Sequence, residues 1–158
     1  MDKKHVLILG LGNYLMGDEG LGVHLARALE NQEWPDEVEI VDGGTGGFLL
    51  MNQIESYEHV IMIDATMDNK KPGTINLIKP KFAKDFPQAM STHEIGLKDV
   101  IQSMQLLGTL PVIHLFTVSI ELIQPLTVEL SEAIQQIMPD LARKIRQLVF
   151  QLVPTEVI

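Results

Sequence analysis

Asp18, Glu19, Asp42, Asp64 and His93 are the side chains whose types and placing point to chemistry. The acids follow three successive apolar runs, with Asn13 beside the first, and His93 stands just ahead of a segment with helical periodicity. Two or three carboxylates with one imidazole make a hard-to-borderline ligand set that suits a divalent metal. The same groups could instead activate water by general acid–base catalysis, and residue types alone leave both chemistries open. Each position also has a structural reading. Asp18 and Glu19 open a helix, where negative charge is favoured by the dipole; we read Asp18 as structural and Glu19 as functional. Asp42 and Asp64 precede Gly43 and Ala65, so turn-forming roles exist for both. Asp64 ends the apolar run 59–63, which predicts a half-buried carboxylate and favours function. The run Ser91-Thr92-His93-Glu94 has the form of a capping box, which accounts for Ser91 and Glu94 and leaves His93 over. His5, His24, His59 and His114 are read as structural, with nothing converging on them.

Glycines flank these acids. Gly10-Leu11-Gly12 after the first run has the start of a dinucleotide-binding turn, and Asp42 lies where a ribose-binding acid would. Leu15 occupies the third fingerprint position, and Asp18 and Glu19 would repel a pyrophosphate at the helix start. A nucleotide site is therefore the weaker reading. Turn formation and close backbone approach explain Gly10 and Gly12 better. Residues 43–47 read Gly43-Gly44-Thr45-Gly46-Gly47, a poor core segment and a good flexible surface for a passing peptide. There is no Gly-x-Ser-x-Gly elbow, no His-Glu-x-x-His and no Walker loop.

The elements that must hold these groups alternate between short apolar runs and helical periodicity. Strands are predicted over residues 5–9, 37–41, 59–63, 74–78 and 112–119. Helices are predicted over 19–31, 48–54 and 94–107, with a last one from Leu130 to Leu148 broken or kinked at Pro139. Residues 79–90 carry two prolines and mixed charge and read as a surface loop. The expected fold is a three-layer α/β/α domain over residues 1–158, with a mostly parallel sheet of about five strands and helices on both faces. In such sheets ligands bind beyond the carboxyl ends of the strands, at a switch in strand order, and that is where the acids fall.

Composition narrows the partners. A formal charge of −9 argues against nucleic acid as a ligand, because phosphate binding rests on lysine and arginine. No polybasic patch invites an anionic membrane, and no apolar stretch is long enough to span one. Cysteine is absent, which excludes disulfides, thiolate metal sites and a cysteine nucleophile. The expected location is the cytoplasm.

Taken in order, the motifs resemble a known family. They are Gly10-Leu-Gly12-Asn13-Tyr-Leu15-Met-Gly-Asp18-Glu19-Gly20-Leu-Gly22-Val23, Asp42-Gly43-Gly44-Thr45, Asp64-Ala65, Pro72-Gly73-Thr74 and Ser91-x-His93-x-x-Gly96-Leu97. This ordered set resembles the [NiFe]-hydrogenase maturation endopeptidases from about residue 5 to residue 101. The resemblance implies removal of a C-terminal extension from a hydrogenase large-subunit precursor after nickel insertion. It implies Glu19, Asp64 and His93 as metal ligands, with Glu19 standing where many relatives have Asp. It implies Asp42, Gly43, Gly44 and Thr45 in substrate recognition or cleavage. The nickel is expected to be carried by the substrate, with no permanent metal and no nucleotide. Asp42 and Asp64 both remain candidates for the base. Residues 118–125 are less family-like, and no site residue is read beyond His93. Two other readings use the same residues: a chaperone that checks for nickel without cutting, and a metal-dependent hydrolase of small substrates.

Overall fold

Apolar runs that alternate evenly between two faces, with no polar side, belong inside a sheet covered above and below. The computed structural model, which describes residues 3–87 and 95–154, places them there. Five strands form one sheet: β1 (Lys4–Leu11), β2 (Val38–Gly44), β3 (Tyr57–Thr66), β4 (Ile75–Ile78) and β5 (Val112–Ser119). Four helices connect and cover them: α1 (Leu21–Glu30), α2 (Met51–Glu55), α3 (Ile95–Leu107) and α4 (Glu132–Leu152). The strand order is β2-β1-β3-β5-β4. The first four in that order run parallel, and β4 is an antiparallel edge strand on β5.

The two-residue period of the strands divides the core. Val6, Ile8, Ile61 and Ile63 face α1 and α4, packing on Leu21, Leu25, Leu29, Ile134, Leu141 and Ile145. Leu7, Leu9, Val60 and Met62 face the other way, onto Leu50, Ile54, Leu97, Val100, Ile101 and Met104. Three layers with helices on both faces follow, as the alternating pattern predicts. Among the described residues no helix is long and apolar enough to cross a membrane.

Three local expectations change. The helix after β1 begins with a 3₁₀ turn, Gly17–Gly20, and becomes α-helical only at Leu21. The helix over Pro139 is not broken there: it runs from Glu132 to Leu152, with the apolar stripe on both sides of the proline packed inward and the proline itself exposed. In the segment read as a surface loop, a 3₁₀ turn at Ala83–Asp85 delivers Phe86 into the core beneath α3. The capping box at residues 91–94 lies outside the described residues, as does His93.

The histidines at the amino end of the sheet also differ from expectation. His59 on β3 and His114 on β5 converge on each other, with Nδ1 of His59 3.1 Å from Nε2 of His114. One nitrogen must donate and the other accept, so the contact is lost when both rings are charged. Burial, and then the charges of Lys79 and His59, push His114 down to about 4, and burial lowers His59 as well. An unfolded histidine takes its proton near pH 6.5. Between that pH and about 4 the unfolded chain therefore binds protons that folded His114 refuses, and stability falls as the pH falls. We expect urea midpoints to drop from pH 7 to pH 4.5 by an amount worth on the order of 2–3 kcal/mol. His114→Leu should flatten that slope, and an equally steep slope in the variant would assign the acid sensitivity elsewhere.

Candidate functional site

The chain crosses from β2 to β3 over opposite sides of β1, which makes the carboxyl ends of β1 and β3 the switch point of the sheet. What lies there is set by backbone contact. A Cβ on Gly22 would come 2.2 Å from the Ile63 carbonyl oxygen and 2.5 Å from that of Leu11. A Cβ on Gly10 would come 2.2 Å from the carbonyl oxygen of Gly22. Bare backbone on both sides lets α1 lie directly on the two strands. Gly12 completes the fit at φ +131°, a conformation open to glycine, with its Cβ position 2.2 Å from the Glu19 carbonyl oxygen.

That contact decides where the acids go. Glu19 lies in the 3₁₀ turn one turn before Gly22, and Asp64 follows Ile63, so both arrive at the switch point. Glu19 is 3% exposed and Asp64 0%, more deeply buried than the half-burial predicted for Asp64. One Asp64 oxygen, Oδ1, accepts the N–H of Ala65 at 2.8 Å. Two carboxylates inside a protein are an expensive arrangement unless they serve bonding of their own. Their oxygens are the donors a hard or borderline divalent ion takes. His93 would be the third member of the set, and it lies outside the described residues.

Asp18 is structural, as its reading predicts, but it does not cap its own helix. Its Oδ1 accepts the N–H of Ser131 at 2.7 Å and its Oδ2 accepts Nε2 of Gln124 at 3.0 Å. In return its own N–H donates to Oε1 of Gln124 at 2.9 Å. The carboxylate therefore pins residues 124–131, the approach to α4, against the turn that carries Glu19.

Asp42 stands at a β-bulge. Gly10 pairs with Asp42 and Leu11 with Gly44, which leaves Gly43 as the extra residue of β2. Oδ2 of Asp42 accepts Nε of Arg27 at 3.0 Å, and the same guanidinium lies 4.0 Å from the centroid of the Tyr14 ring. This pair ties the end of β2 to α1 and to the loop after β1. The glycine-rich segment that follows is closed rather than slack: Gly46 N–H donates to the Gly43 carbonyl and Gly12 N–H to the Gly44 carbonyl, both at 3.0 Å. Gly43 and Gly44 belong to β2, and Thr45 is exposed beyond it. With Leu11, Leu50 and Leu97 the segment lines a shallow depression.

Sequence reasoning stopped at His93 and missed residues 124–128. The structure lays this stretch beside Leu15–Asp18. Thr127 N–H donates to the Leu15 carbonyl at 2.9 Å and Gly17 N–H to the Thr127 carbonyl at 2.8 Å. Leu126, next to these ties, has φ +57° and is 89% exposed. A left-handed leucine costs about 1–2 kcal/mol, so the surrounding bonds must impose it. No periodicity marks such a residue; the only sequence signal is that Asp18 needs partners.

With this geometry in hand, comparison with known proteins is informative. A family model described as hydrogenase maturation protease (HycI) matches residues 23–148. The Hydrogenase 2 maturation protease of Escherichia coli (strain K12) is 38% identical over 109 residues, covering 67% of this chain and 66% of that protein. The hydrogenase expression/formation protein HupD of Bradyrhizobium diazoefficiens is also 38% identical over 109 residues, which is 57% of its length. The match thus spans just under two thirds of the first relative and less of the second. The solved structure of the hydrogenase maturating endopeptidase HybD from E. coli superposes with a TM-score of 0.85 at 30% identity, covering 93% of each chain. That of the [NiFe] hydrogenase maturation protease HybD from Thermococcus kodakarensis gives 0.75 at 27% identity, covering 92% of this chain and 99% of that one.

Two substitutions test the scaffold. Gly22→Ala forces a methyl group into two carbonyl oxygens that cannot rotate away, and should lower stability by about 2–3 kcal/mol in urea unfolding. Asp18→Ala removes the acceptor of two part-buried donors and should cost about 1–2 kcal/mol. Hydrogen exchange should speed up over residues 124–131 in that variant before it changes in the strands; uniform acceleration would show that Asp18 does not act on this segment.

Proposed function

The chain belongs to the hydrogenase maturation protease family, and from that premise we propose that it is an endopeptidase acting on the precursor of a [NiFe]-hydrogenase large subunit. The bond it cuts releases a C-terminal extension after nickel has been inserted. The observation that carries this reading is the buried pair Glu19 and Asp64 at the switch point, brought there by contact between glycine backbones.

In this mechanism the tail of the precursor lies along residues 43–47, where glycines let another backbone approach without side chains in the way. The nickel belongs to the substrate, and Glu19, Asp64 and His93 receive it as a half-shell of oxygen and nitrogen donors. Docking it fixes the scissile carbonyl in register, and such orientation is worth up to about 7–11 kcal/mol. A positive ion beside the carbonyl draws electrons from its carbon. Water adds to that carbon and gives one proton to a carboxylate. The C–N bond breaks, and the departing amine takes up the proton, leaving a new carboxyl terminus on the mature subunit. We assign the proton transfer to Asp64. Asp42 holds the glycine segment in place, since its Oδ2 is already bonded to Nε of Arg27.

The test is the intact mass of the cognate precursor, prepared with and without nickel, after incubation with wild type and variants. Wild type should remove a fixed C-terminal mass from the nickel-loaded precursor alone. Asp64→Asn and Glu19→Gln should slow this by about 100-fold or more, and His93→Ala should do the same. Asp42→Asn should raise the precursor concentration needed for half-maximal rate and keep kcat within about tenfold. Cutting without nickel would overturn the docking role of the metal. Binding of the loaded precursor with no change in mass would turn the assignment to a nickel-checking chaperone.

A further inference from the structure

Residues 63–66 at the end of β3 read Ile63-Asp64-Ala65-Thr66, and residues 116–119 at the end of β5 read Phe116-Thr117-Val118-Ser119. Apolar and polar side chains alternate in both. Such alternation ordinarily marks a strand with one face in water. Here neither face meets it, since none of the eight residues is more than 3% exposed. The ladder pairs Asp64 with Thr117 and Thr66 with Ser119, so the four polar side chains share one face. It is the face on which Met62 and Leu115 pack against α3, while Ile63, Ala65, Phe116 and Val118 join the core beside α1 and α4.

A hydroxyl inside a protein costs free energy unless it is bonded, and native structures satisfy such groups with protein atoms or ordered water. Ser119 is 0% exposed, and its Oγ has no hydrogen-bond partner among the described residues. Its N–H donates to the Thr74 carbonyl and its carbonyl accepts the Gly73 N–H, so the strand holds the hydroxyl on this face. Water suits such a place, because it bonds two to four polar groups in a buried site. The row supplies hydroxyls, which donate as well as accept, and a carboxylate. Neighbouring strands lie about 4.8 Å apart, which puts Asp64 and Thr117, level with one another, close to the span of two hydrogen bonds through one water.

The position also suits the reaction. In the order β2-β1-β3-β5, Asp64 stands between the glycine segment at the end of β2 and the hydroxyls of β5. A tail laid along residues 43–47 approaches Asp64 from one flank and leaves the other to Thr117 and Ser119. We propose that Thr117 and Ser119 hold the hydrolytic water against Asp64. This rests on the proteolytic reading above and adds the groups that bind its second substrate. One proton of the water points to the Asp64 carboxylate, which takes it as the oxygen–carbon bond forms. The other stays hydrogen-bonded to a hydroxyl oxygen, and a lone pair is left for the scissile carbonyl carbon. The C–N bond then breaks, and the amine leaves with the proton from Asp64. The hydroxyls neither gain nor lose a proton. Holding the water orients the chemical step without binding the precursor, so its loss lowers kcat and spares KM.

The experiment compares wild type, Ser119→Ala, Thr117→Val and Thr117→Ser in cleavage of the nickel-loaded precursor, beside a crystal structure of the wild-type protein alone. That structure should show an ordered water about 2.8 Å from Ser119 Oγ. Ser119→Ala and Thr117→Val should each lower kcat about tenfold with KM within twofold. Thr117→Ser keeps the hydroxyl and should hold kcat within twofold of wild type. Ser119→Ala removes no hydrogen bond to a described residue and should melt within about 4 °C of wild type; should it fail to fold, the two Thr117 variants decide alone. Wild-type kcat in either Ser119→Ala or Thr117→Val, or no water at Ser119 Oγ, overturns the water site and leaves the protease reading standing. So does a raised KM at unchanged kcat, which would give the hydroxyls to the substrate chain. Thr117→Ser as slow as Thr117→Val would make the threonine a packing residue and overturn the proposal too. A wild type that never cuts the loaded precursor rejects the protease reading and this role with it.

Discussion

Everything at the candidate site depends on how closely α1 can approach the sheet. A helix normally rides on a sheet through side chains, at a distance that would leave the residues before it above the strand ends. Here Gly10 and Gly22 remove the side chains from the contact, and carbonyl oxygens of Leu11 and Ile63 lie where a Cβ would stand. The helix drops onto β1 and β3, and the turn in front of it is drawn down between their carboxyl ends. Glu19 is buried with that turn. Both carboxylates are buried at the carboxyl ends of these strands because backbones pack there.

Once the turn is seated, Asp18 and Glu19 divide the work of an acidic pair. Asp18 turns toward residues 124–131 and becomes the acceptor that organises the approach to α4. Glu19 turns into the strand ends. Adjacent residues in a 3₁₀ turn point about a third of a revolution apart, so one cannot do both tasks, and the pair is a physical necessity once the turn has to serve two neighbours. A similar division holds across the sheet: Asp64 sits in the interior, while Asp42 at the bulge ties the end of β2 to α1 and the Tyr14 loop through Arg27. The carboxyl edge is built of loops that follow parallel strands, and ties of this kind give those loops the rigidity that strands have by pairing.

The opposite edge of the sheet carries a different polar device. His59 and His114 share a part-buried contact across β3 and β5 that is electrically neutral at pH 7. It gives His114 Nε2 a partner without introducing charge, but it makes the sheet sensitive to acid at its amino end. The buried acids and the histidine pair therefore sit at opposite ends of the same strands, and a change in one need not disturb the other.

The amino-acid sequence by itself determined the layers, the strands and the identity of the acids. Apolar runs at 5–9, 59–63 and 112–119 have no polar face, and only a sheet covered on both sides accommodates them. The positions of Asp42 and Asp64 at the ends of such runs, and of Glu19 at a helix start, put them at one edge of the sheet. Partners were legible only where they are near in sequence. Tertiary structure decided that Asp18 bonds Gln124 and Ser131, more than a hundred residues away, that Arg27 holds Asp42, and that His59 and His114 meet. It also decided that β4 runs antiparallel on β5, since a turn such as Pro72-Gly73 reverses a chain without saying which strand it returns to. Leu126 is the clearest case. Its left-handed backbone and exposed side chain come from hydrogen bonds made by residues on either side of it to another loop, and a single sequence records local preference, which in this position would have been the opposite.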